Sequence, residues 1–507
     1  MASVTCFFYT LMLQHQVFFV VPKRRFQDNR IIQKQRHLVK IKNKRIREKI
    51  TETDGVFVKN IKKTLNFVKK TLDRPLFSVN IINTRGFKML VSFSVENFLS
   101  FKERVDFTME KTSKSTKHKE LVKNGLLKGA CIYGANNSGK TNLIRSIQFV
   151  VDAIEEGNVS RIYKTHYSFI PNDDKVSKFE LTFKQNKHIY KYVMECNFAS
   201  VEKEELYCDK KTVFKRTATD LDRLSDYGIL SNTDYYLNRK FTKSDLFLSK
   251  LRADNVLQEP NLKHQEIFQD IFKWLKQVFC VRLDSAVGGA FYVYMEQKED
   301  FKNYLQELLE EIDPSITQIE WEPIEGAKLN ELLVNASVRF RDSVPEHLFI
   351  RKGYDFFILD HLENNRYTGK KLYTYHNNER FEIDWESDGT KKIIELSLAF
   401  YLLKTTNAIV LIDELDSSLH PVMVRYLLQN CMDSEQQSQI ITTLHNINLL
   451  TQELWRVDQI WFAEKTTDGR SKLYSLQQFA PRFDKKVLKD YLQGRYGAIP
   501  SLGVWKW

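Results

Sequence analysis

An apolar strand, a glycine-containing loop and a helix in direct succession constrain the fold of this chain more than any other feature. The apolar run Ala130–Tyr133 precedes the loop Gly134–Thr141, which reads GANNSGKT, and apolar residues at helical spacing follow from Leu143 to Ile154. This matches the GxxxxGK[ST] pattern in the strand–loop–helix context that it requires. The two glycines let the backbone wrap a phosphate chain with its N–H groups, and the helix N-terminus adds partial positive charge. The sequence therefore predicts a nucleotide phosphate site in an α/β fold.

The polar side chains of this loop predict how ATP is held. Lys140 is expected to reach the β- and γ-phosphates and to assist catalysis, while the Thr141 hydroxyl is expected to coordinate Mg²⁺. The alternative is a chance match in a glycine-rich turn, which the flanking strand and helix disfavour. The predicted ATP contacts are Gly134, Asn137, Ser138, Gly139, Lys140, Thr141 and Asn142.

A second nucleotide element lies 273 positions after Lys140 (413 − 140). The continuous apolar run Ala408–Ile412 is typical of a central parallel strand, and it ends in Asp413 and Glu414. Carboxylates at the carboxyl end of such a strand lie where a doubly wound sheet places its ligand. Asp413 is expected to hold Mg²⁺ directly or through water, and Glu414 to polarise the attacking water. The simpler alternative is a pair of solvated carboxylates.

Two shorter features flank this strand. Upstream, Ser387 and Gly389 form a Ser-x-Gly turn before a mostly apolar helix, which predicts either a second anion site or only a helix N-cap. Downstream, the run beginning at Ile440 predicts another strand, which ends in His445. A histidine at a strand end is more often structural than catalytic. Only the order of all these elements favours a catalytic role for it.

That order resembles the ABC-type ATPase heads of the RecF, OLD and SMC group. The stretches FSVENFLSF (93–101), ESDGTKK (386–392), DELDSSLHP (413–421) and GRYGAIP (494–500) look more closely like stand-alone AAA-type ATP-binding proteins of bacterial phage-defence operons. The ATPase subunits of the AbiL and PARIS systems are the nearest comparison. The resemblance covers roughly residues 89–500, although only the ATPase motifs are specific. It implies a P-loop ABC-type ATPase head of α/β class, with a mixed sheet, an antiparallel side layer and an inserted helical lid.

The resemblance also implies a composite site shared by two copies of the chain. Ser387 and Gly389 would form a signature loop that contacts the γ-phosphate bound by the other copy, and His445 would be a catalytic switch histidine that senses it. The loop 418–420 would cross the dimer interface. ATP binding would then close the homodimer and hydrolysis would open it. The signature reads Ser-Asp-Gly-Thr where transporters have a second Gly and a Gln, which argues against a transporter head.

Charge is concentrated at one end of the chain. Residues 1–88 hold 20 Lys+Arg against 5 Asp+Glu, a net +15, whereas residues 89–507 hold 57 against 59, a net −2. One interpretation of the first segment is a basic arm that binds either nucleic acid or an anionic membrane face. The other is an extension upstream of a start at Met89. Its apolar part precedes its basic part, unlike a secretory signal. The six cysteines form no CxxC pair, which disfavours a zinc site or disulfide framework and indicates the reduced cytoplasm. No apolar run reaches about 18 residues, so no membrane span is expected.

The insertion between the two nucleotide elements is less informative. Residues 179–198 alternate as a hairpin with its turn at 185–187, and residues 204–207 are expected to continue it. Stretches 261–279 and 298–312 have helical spacing without sustained heptads, so a compact helical lid is expected and long coiled-coil arms are not. The aromatic residues Trp274, Phe279 and Phe291 are expected in the core rather than on a base-stacking surface.

These observations predict four segments and two competing functions. The segments are the basic extension 1–88, the N-terminal part of the head with the phosphate loop 89–165, the hairpin and lid 166–380, and the C-terminal part 381–507. The first function is an ATP-hydrolysing sensor or scaffold of an anti-phage defence system that controls a separate effector encoded nearby, with a TOPRIM-like nuclease as one candidate. The 62 residues after His445 (507 − 445) are too few for an appended TOPRIM domain. The alternative is a RecF-like ATPase that binds DNA. A transporter head and a nucleotide kinase are less favoured.

Overall fold

The computed structural model describes the chain in twelve stretches. These are residues 17–19, 87–113, 117–160, 176–217, 221–222, 242–253, 265–281, 288–339, 347–361, 366–432, 435–481 and 486–500. Most of the basic segment 1–88 lies outside the described residues. The chain divides into two compact units. The insert unit comprises Met1–Val79, Gly288–Lys302 and Pro314–Glu386, and the main unit comprises Asn80–Val287, Asn303–Asp313 and Ser387–Trp507.

The main unit contains a mixed six-stranded sheet that carries both nucleotide motifs. Strands and helices are numbered here in chain order. The sheet consists of β6 (Gly129–Tyr133), β12 (Val278–Val281), β18 (Ile409–Ile412), β19 (Gln439–Thr443), β20 (Ile460–Lys465) and β21 (Ser471–Ser475). Its strand order is β12-β18-β19-β6-β20-β21, and every neighbouring pair is parallel except β20 and β21. The carboxyl ends of β6 and β18 therefore lie on the same edge, with β19 between them.

A seven-stranded antiparallel sheet forms a second layer of the main unit. It consists of β2 (Lys88–Glu96), β3 (Val105–Thr108), β7 (Ser177–Gln185), β8 (His188–Cys196), β9 (Val201–Cys208), β10 (Lys211–Thr217) and β11 (Leu221–Asp222). The predicted hairpin is confirmed as β7 and β8, and its continuation as β9. The short strands β4 (Val122–Lys123) and β5 (Leu126–Leu127) form a separate pair.

Helix α1 (Lys140–Glu156) connects the phosphate loop to the hydrophobic core. Its residues Leu143, Ile147 and Val150 belong to one buried cluster that also contains residues of both sheets of the main unit. The helix ends where Gly157 adopts φ 73°, a left-handed conformation that glycine adopts without strain. The other helices of the main unit are α2 (Phe247–Ala253), α3 (Gln265–Leu275), α7 (Asp388–Thr405), α8 (Pro421–Met432) and α9 (Val487–Leu492).

The insert unit is built around a second antiparallel sheet. Its strands are β1 (Val17–Phe19), β13 (Ile316–Ile324), β14 (His347–Lys352), β15 (Asp355–His361), β16 (Tyr367–His376) and β17 (Glu379–Glu382). Helices α4 (Gly288–Gln297) and α6 (Gly326–Arg339) also belong to this unit, and α5 (Glu299–Ile312) runs across the boundary between units. Its core includes Ile324, Leu332 and Phe357.

The fold class expected from the sequence is confirmed: the chain is α/β, with a mixed sheet and an antiparallel side layer. Helices α3 and α5 lie within the two predicted helical stretches. The sheet β13–β17 was not predicted, so the insertion is not simply a helical lid. Trp274 and Phe291 are buried in cores as expected, whereas Phe279 is half-buried. No helix among the described residues is long and apolar enough to cross a membrane.

Candidate nucleotide site

The phosphate loop requires glycine at both of its ends. Gly134 has φ 154°, and a Cβ atom there would lie 2.2 Å from the carbonyl oxygen of Ala463 on the neighbouring strand β20. Gly139 has φ 105°, and a Cβ atom there would lie 2.3 Å from Ser471 Oγ. Both distances are far below van der Waals contact, so the loop can lie this close to β20 and β21 only without side chains. Asn137 is also left-handed, at φ 62°, a conformation that asparagine tolerates better than most residues.

The side chain of Lys140, the first residue of α1, folds back against the phosphate loop. Its ammonium donates hydrogen bonds to the carbonyl oxygens of Gly134, at 2.9 Å, and Ala135, at 3.1 Å. Burial lowers the pKa of Lys140, and the nearby carboxylates, foremost that of Glu414, offset this effect only in part. The ammonium is therefore partly desolvated in a loop of glycines and small polar residues. An anionic ligand would supply the negative charge that restores its stability.

Two further loop residues have different surroundings. Ser138 Oγ is buried and has no hydrogen-bond partner among the described residues, which is consistent with a hydroxyl that serves a ligand. Asn142, in contrast, donates from its side-chain amide to Ser100 Oγ at 2.6 Å. Ser100 Oγ also accepts from Ser471 Oγ at 2.7 Å. The Asn142 side chain therefore holds the neighbouring backbone segments in this structure, and its contact with ATP stays a prediction.

Residues from the two distant motifs meet at the Asp413 carboxylate. Asp413 Oδ1 accepts a hydrogen bond from Thr141 Oγ1 at 3.1 Å, although the two residues are 272 positions apart. The same oxygen accepts from Thr443 Oγ1 at 2.7 Å. Asp413 is buried, with 5% of its surface exposed. A hydroxyl and a carboxylate in contact at the start of α1 are the oxygen ligands that Mg²⁺ prefers.

Glu414 is directed away from the buried Asp413 by its backbone. Its φ is 50°, and its N–H donates to Thr443 Oγ1 at 2.7 Å. Its carboxylate Oε1 lies 3.5 Å from His445 Nε2, and the two side chains are 32% and 39% exposed. The predicted catalytic pair is thus adjacent and reachable by water.

Sequence reasoning assigned no role to two residues that organise this edge. Thr443 is the last residue of β19, and its hydroxyl donates to Asp413 and accepts from the Glu414 N–H. Asp416 accepts hydrogen bonds from the backbone N–H groups of His445, at 2.8 Å, and of Asn446, and so fixes the loop that carries the histidine. Asp416 stood within the quoted stretch DELDSSLHP, but only the pairing of β18 with β19 reveals either contact.

The Ser-x-Gly turn begins helix α7. Ser387 Oγ accepts from the Thr390 N–H at 3.1 Å, so the N-cap predicted for this serine is present. A Cβ atom on Gly389 would lie 3.3 Å from the carbonyl oxygen of Ser418, which places this turn against the loop 418–420. Ser387, Ser418 and His420 are exposed. Both loops therefore present polar groups at the surface.

The residue before this turn is anchored in the insert unit. Glu386 is buried, and its Oε1 is 2.8 Å from His376 Nε2 at the end of β16. The same oxygen accepts a hydrogen bond from the Thr374 hydroxyl on that strand. His376 Nδ1 is in turn 2.8 Å from Ser315 Oγ. The end of β16 therefore holds the Glu386 side chain within the insert unit.

A family comparison decides what kind of protein carries this site. Residues 130–451 match the family described as AAA domain, putative AbiEii toxin, Type IV TA system. The chain belongs to this AAA domain family. The match includes the phosphate loop, the Asp413–Glu414 pair and His445. The chain is therefore an ATP-binding domain of the P-loop ATPase type.

Solved structures similar to this AAA domain include three SMC heads. The SMC head domain from Thermotoga maritima is 13% identical at a TM-score of 0.34, and the match covers 76% of this chain and 98% of that chain. An SmcHead bound to the C-winged helix domain of ScpA is 14% identical at a TM-score of 0.37, with 76% and 97% covered. An Smc head with an extended coiled coil from Pyrococcus furiosus, bound to the C-terminal domain of ScpA, is 14% identical at 0.37, with 80% and 100% covered. No curated protein matches this chain.

The residues of the AAA domain fit the chemistry of ATP with Mg²⁺. The glycine loop, the desolvated ammonium of Lys140 and the unpartnered Ser138 hydroxyl suit a phosphate chain. The contact between Thr141 and Asp413 suits a hard cation.

Proposed function

We propose that this chain hydrolyses ATP with the help of Mg²⁺, and that it does so as a homodimer that sandwiches ATP. The observation that carries the proposal is the continuous set of contacts from Thr141 through Asp413 and Thr443 to Glu414. These contacts place a water-accessible carboxylate beside the phosphate loop. A phosphate-binding loop alone would need none of them.

Each residue has a distinct part in the proposed reaction. Backbone N–H groups of the loop and the Lys140 ammonium bind and orient the phosphates, and Thr141 with Asp413 holds the metal ion. Mg²⁺ supplies positive charge that neutralises the phosphate oxygens. The Glu414 carboxylate accepts a proton from the attacking water, and His445, 3.5 Å from that carboxylate, donates a hydrogen bond towards the phosphate.

The homodimer rests on the surface position of the second anion site. Ser387 and the loop 418–420 are exposed and lie together, so they are available to a second copy of the chain. In the proposed dimer, Ser387 and Gly389 of one copy contact the γ-phosphate held by the other. ATP then acts as the ligand that stabilises the closed pair.

The glutamate variant Glu414→Gln tests this mechanism directly. We expect it to bind ATP like the wild type, to lose at least about 100-fold in hydrolysis rate, and to accumulate as an ATP-bound dimer. Phosphate release, nucleotide binding and sedimentation with and without ATP measure the three properties. Glu299→Gln is the matched control, because Glu299 is 75% exposed on α5. Hydrolysis by Glu414→Gln at the wild-type rate would remove Glu414 from the mechanism.

We further propose that this ATPase is the sensor or scaffold of a bacterial anti-phage system of the abortive-infection type, close to AbiL and PARIS ATPase subunits. The family description, with its putative AbiEii toxin and Type IV TA system, supports a place in such a system. The toxic activity then resides in an effector encoded nearby, for which a TOPRIM-like nuclease is one candidate. The ATP state of the dimer controls that effector.

Purification of the native protein with its genomic neighbours, with and without ATP, tests the defence role. We expect ATP-dependent recovery of one neighbouring gene product, and loss of phage protection in cells that carry Glu414→Gln. The alternative, a RecF-like DNA ATPase, predicts instead ATP-dependent DNA binding that falls steeply with salt. The net charge of −2 over residues 89–507 does not favour it. Tight DNA binding without any protein partner would decide for the alternative.

A further inference from the structure

A cluster of potential metal ligands lies on the antiparallel sheet of the main unit. His188 is the first residue of β8, Cys208 is the last residue of β9, and Asp209 begins the turn to β10. One nitrogen, one sulfur and one oxygen donor of these residues all lie within 4.8 Å of one another. Cysteine spacing along the sequence disfavours a zinc site, but folding brings together donors that are 20 residues apart. We propose that His188, Cys208 and Asp209 bind one Zn²⁺ ion.

The backbone of the two strands fixes these donors. Tyr190 of β8 is paired with Cys208 of β9. The Asp209 N–H donates to the Ile189 carbonyl oxygen at 2.8 Å, and the Ile189 N–H donates to Asp209 Oδ1 at 2.9 Å. Strand pairing at Cys208 and the two hydrogen bonds between Asp209 and Ile189 therefore hold the donors in place, which reduces the entropy lost when an ion is bound.

The donor set matches the preferences of zinc. Imidazole nitrogen, thiolate sulfur and carboxylate oxygen are its usual ligands, at about 2.0–2.3 Å. Tetrahedral binding would place the donors about 3.2–3.7 Å apart, whereas His188 Nδ1 and Asp209 Oδ2 are 2.6 Å apart. Small rotations of these two side chains would increase the distance between Nδ1 and Oδ2 to the value needed for both atoms to bind one ion. Calcium and magnesium are excluded by their preference for oxygen ligands alone.

Charge and access also suit a divalent ion. The Asp209 carboxylate lies beside the His188 imidazole through Oδ2, while its Oδ1 accepts a hydrogen bond from the Ile189 N–H. The carboxylate and a zinc-bound thiolate together balance the two charges of the ion. His188 and Asp209 are 36% and 44% exposed, which gives an ion a path from solvent, while Cys208 is 1% exposed on the inner side. Three protein ligands leave one position for water.

The competing explanation is that the His188–Asp209 hydrogen bond only joins β8 to the turn after β9, without a metal ion. Such a hydrogen bond needs only the imidazole and the carboxylate, so a role for the Cys208 thiol distinguishes the metal site from this explanation. A bound Zn²⁺ would cross-link β8 and β9 beyond their backbone pairing. It would also make the stability of the whole chain depend on zinc concentration.

Metal binding by the untagged full-length chain tests the proposal without reference to ATP hydrolysis. After removal of metal with a chelator, ZnCl₂ is titrated and bound zinc is measured by elemental mass spectrometry. Co²⁺ then replaces Zn²⁺ so that a thiolate-to-cobalt absorption band reports the sulfur ligand. The variants are Cys208→Ser, His188→Gln and Asp209→Asn. Cys431→Ser, which alters a buried cysteine outside this cluster, is the control.

We expect one zinc ion fewer in each of the three variants than in the wild type and in the control. We expect zinc affinity to fall by more than about 100-fold, beyond the loss that follows removal of a group that only supports a ligand. The cobalt band should vanish in Cys208→Ser, and zinc should raise the Tm of the wild type but not that of the variants. His188→Gln and Asp209→Asn alter exposed side chains, so they decide the matter even if Cys208→Ser fails to fold. Equal zinc content and an equal cobalt band in the variants and the wild type would overturn the proposal.

Discussion

Replacement of Thr443 by valine tests the connection between the two nucleotide motifs. The change keeps the shape of the side chain and removes only the hydroxyl, which donates to Asp413 Oδ1 at 2.7 Å and accepts from the Glu414 N–H at 2.7 Å. Thr443 is fully buried, so no water replaces either bond. A hydrogen bond to a charged group contributes about 1.5–3 kcal/mol, and an unsatisfied buried N–H costs about 1–3 kcal/mol. Because both terms come from one hydroxyl and are not fully additive, we expect a loss of about 2–4 kcal/mol in the free energy of unfolding.

The same change should lower kcat more than it affects ATP binding. Loss of about 1.4–2.8 kcal/mol from the positioning of Asp413 and Glu414 corresponds to about a 10–100-fold decrease in kcat. The phosphate loop is untouched, so the Kd for ATP should stay nearly unchanged. Phosphate release at saturating ATP and fluorescent nucleotide binding measure the two quantities.

Thr442→Val is the matched control for this experiment. Thr442 is equally buried on the same strand, but its hydroxyl donates to the Thr443 carbonyl oxygen at 3.2 Å and does not contact Asp413. It should lose stability without a comparable loss of kcat. If Thr443→Val hydrolyses ATP at the wild-type rate, the hydroxyl does not position the acidic pair and the reasoning is wrong.

Two further predictions concern a glycine of the phosphate loop and a buried carboxyl group. Gly134→Ala should abolish ATP binding in a nucleotide-binding assay, because its Cβ would lie 2.2 Å from the Ala463 carbonyl oxygen, whereas Gly125→Ala, also at positive φ but in open space, should bind normally. Burial raises the pKa of Glu204 above its usual value, so the folded chain binds this proton more tightly than the unfolded chain does. The resulting contribution to the free energy of unfolding is fully present below about pH 4 and is lost as pH rises through the raised pKa. Urea unfolding of Glu204→Gln between pH 4 and 8 should therefore show a flatter pH dependence, and an identical slope would contradict it.

The motif residues could be located from sequence because each motif is contiguous and lies next to a strand that the apolar pattern reveals. Thr443 and Asp416 could not, because their contacts depend on which strands become neighbours. The insert sheet was missed for a different reason. In β13 the buried residues Ile316 and Ile319 are three positions apart, which resembles a helix more than an alternating strand. Its partner β16 lies about 50 residues further along the chain.

The position of β6 in its sheet has a consequence for the newly made protein. β6 lies between β19 and β20, and the first residue of β19 comes 306 positions after the last residue of β6 (439 − 133). At about 5–20 residues per second, the ribosome needs about 15–60 s to cover that distance. For that time a wholly apolar strand has neither neighbour, and unpaired strand edges promote aggregation. The nascent chain therefore exposes both edges of β6 until β19 and β20 emerge, and Thr443 cannot join Asp413 to the Glu414 backbone before β19 is made.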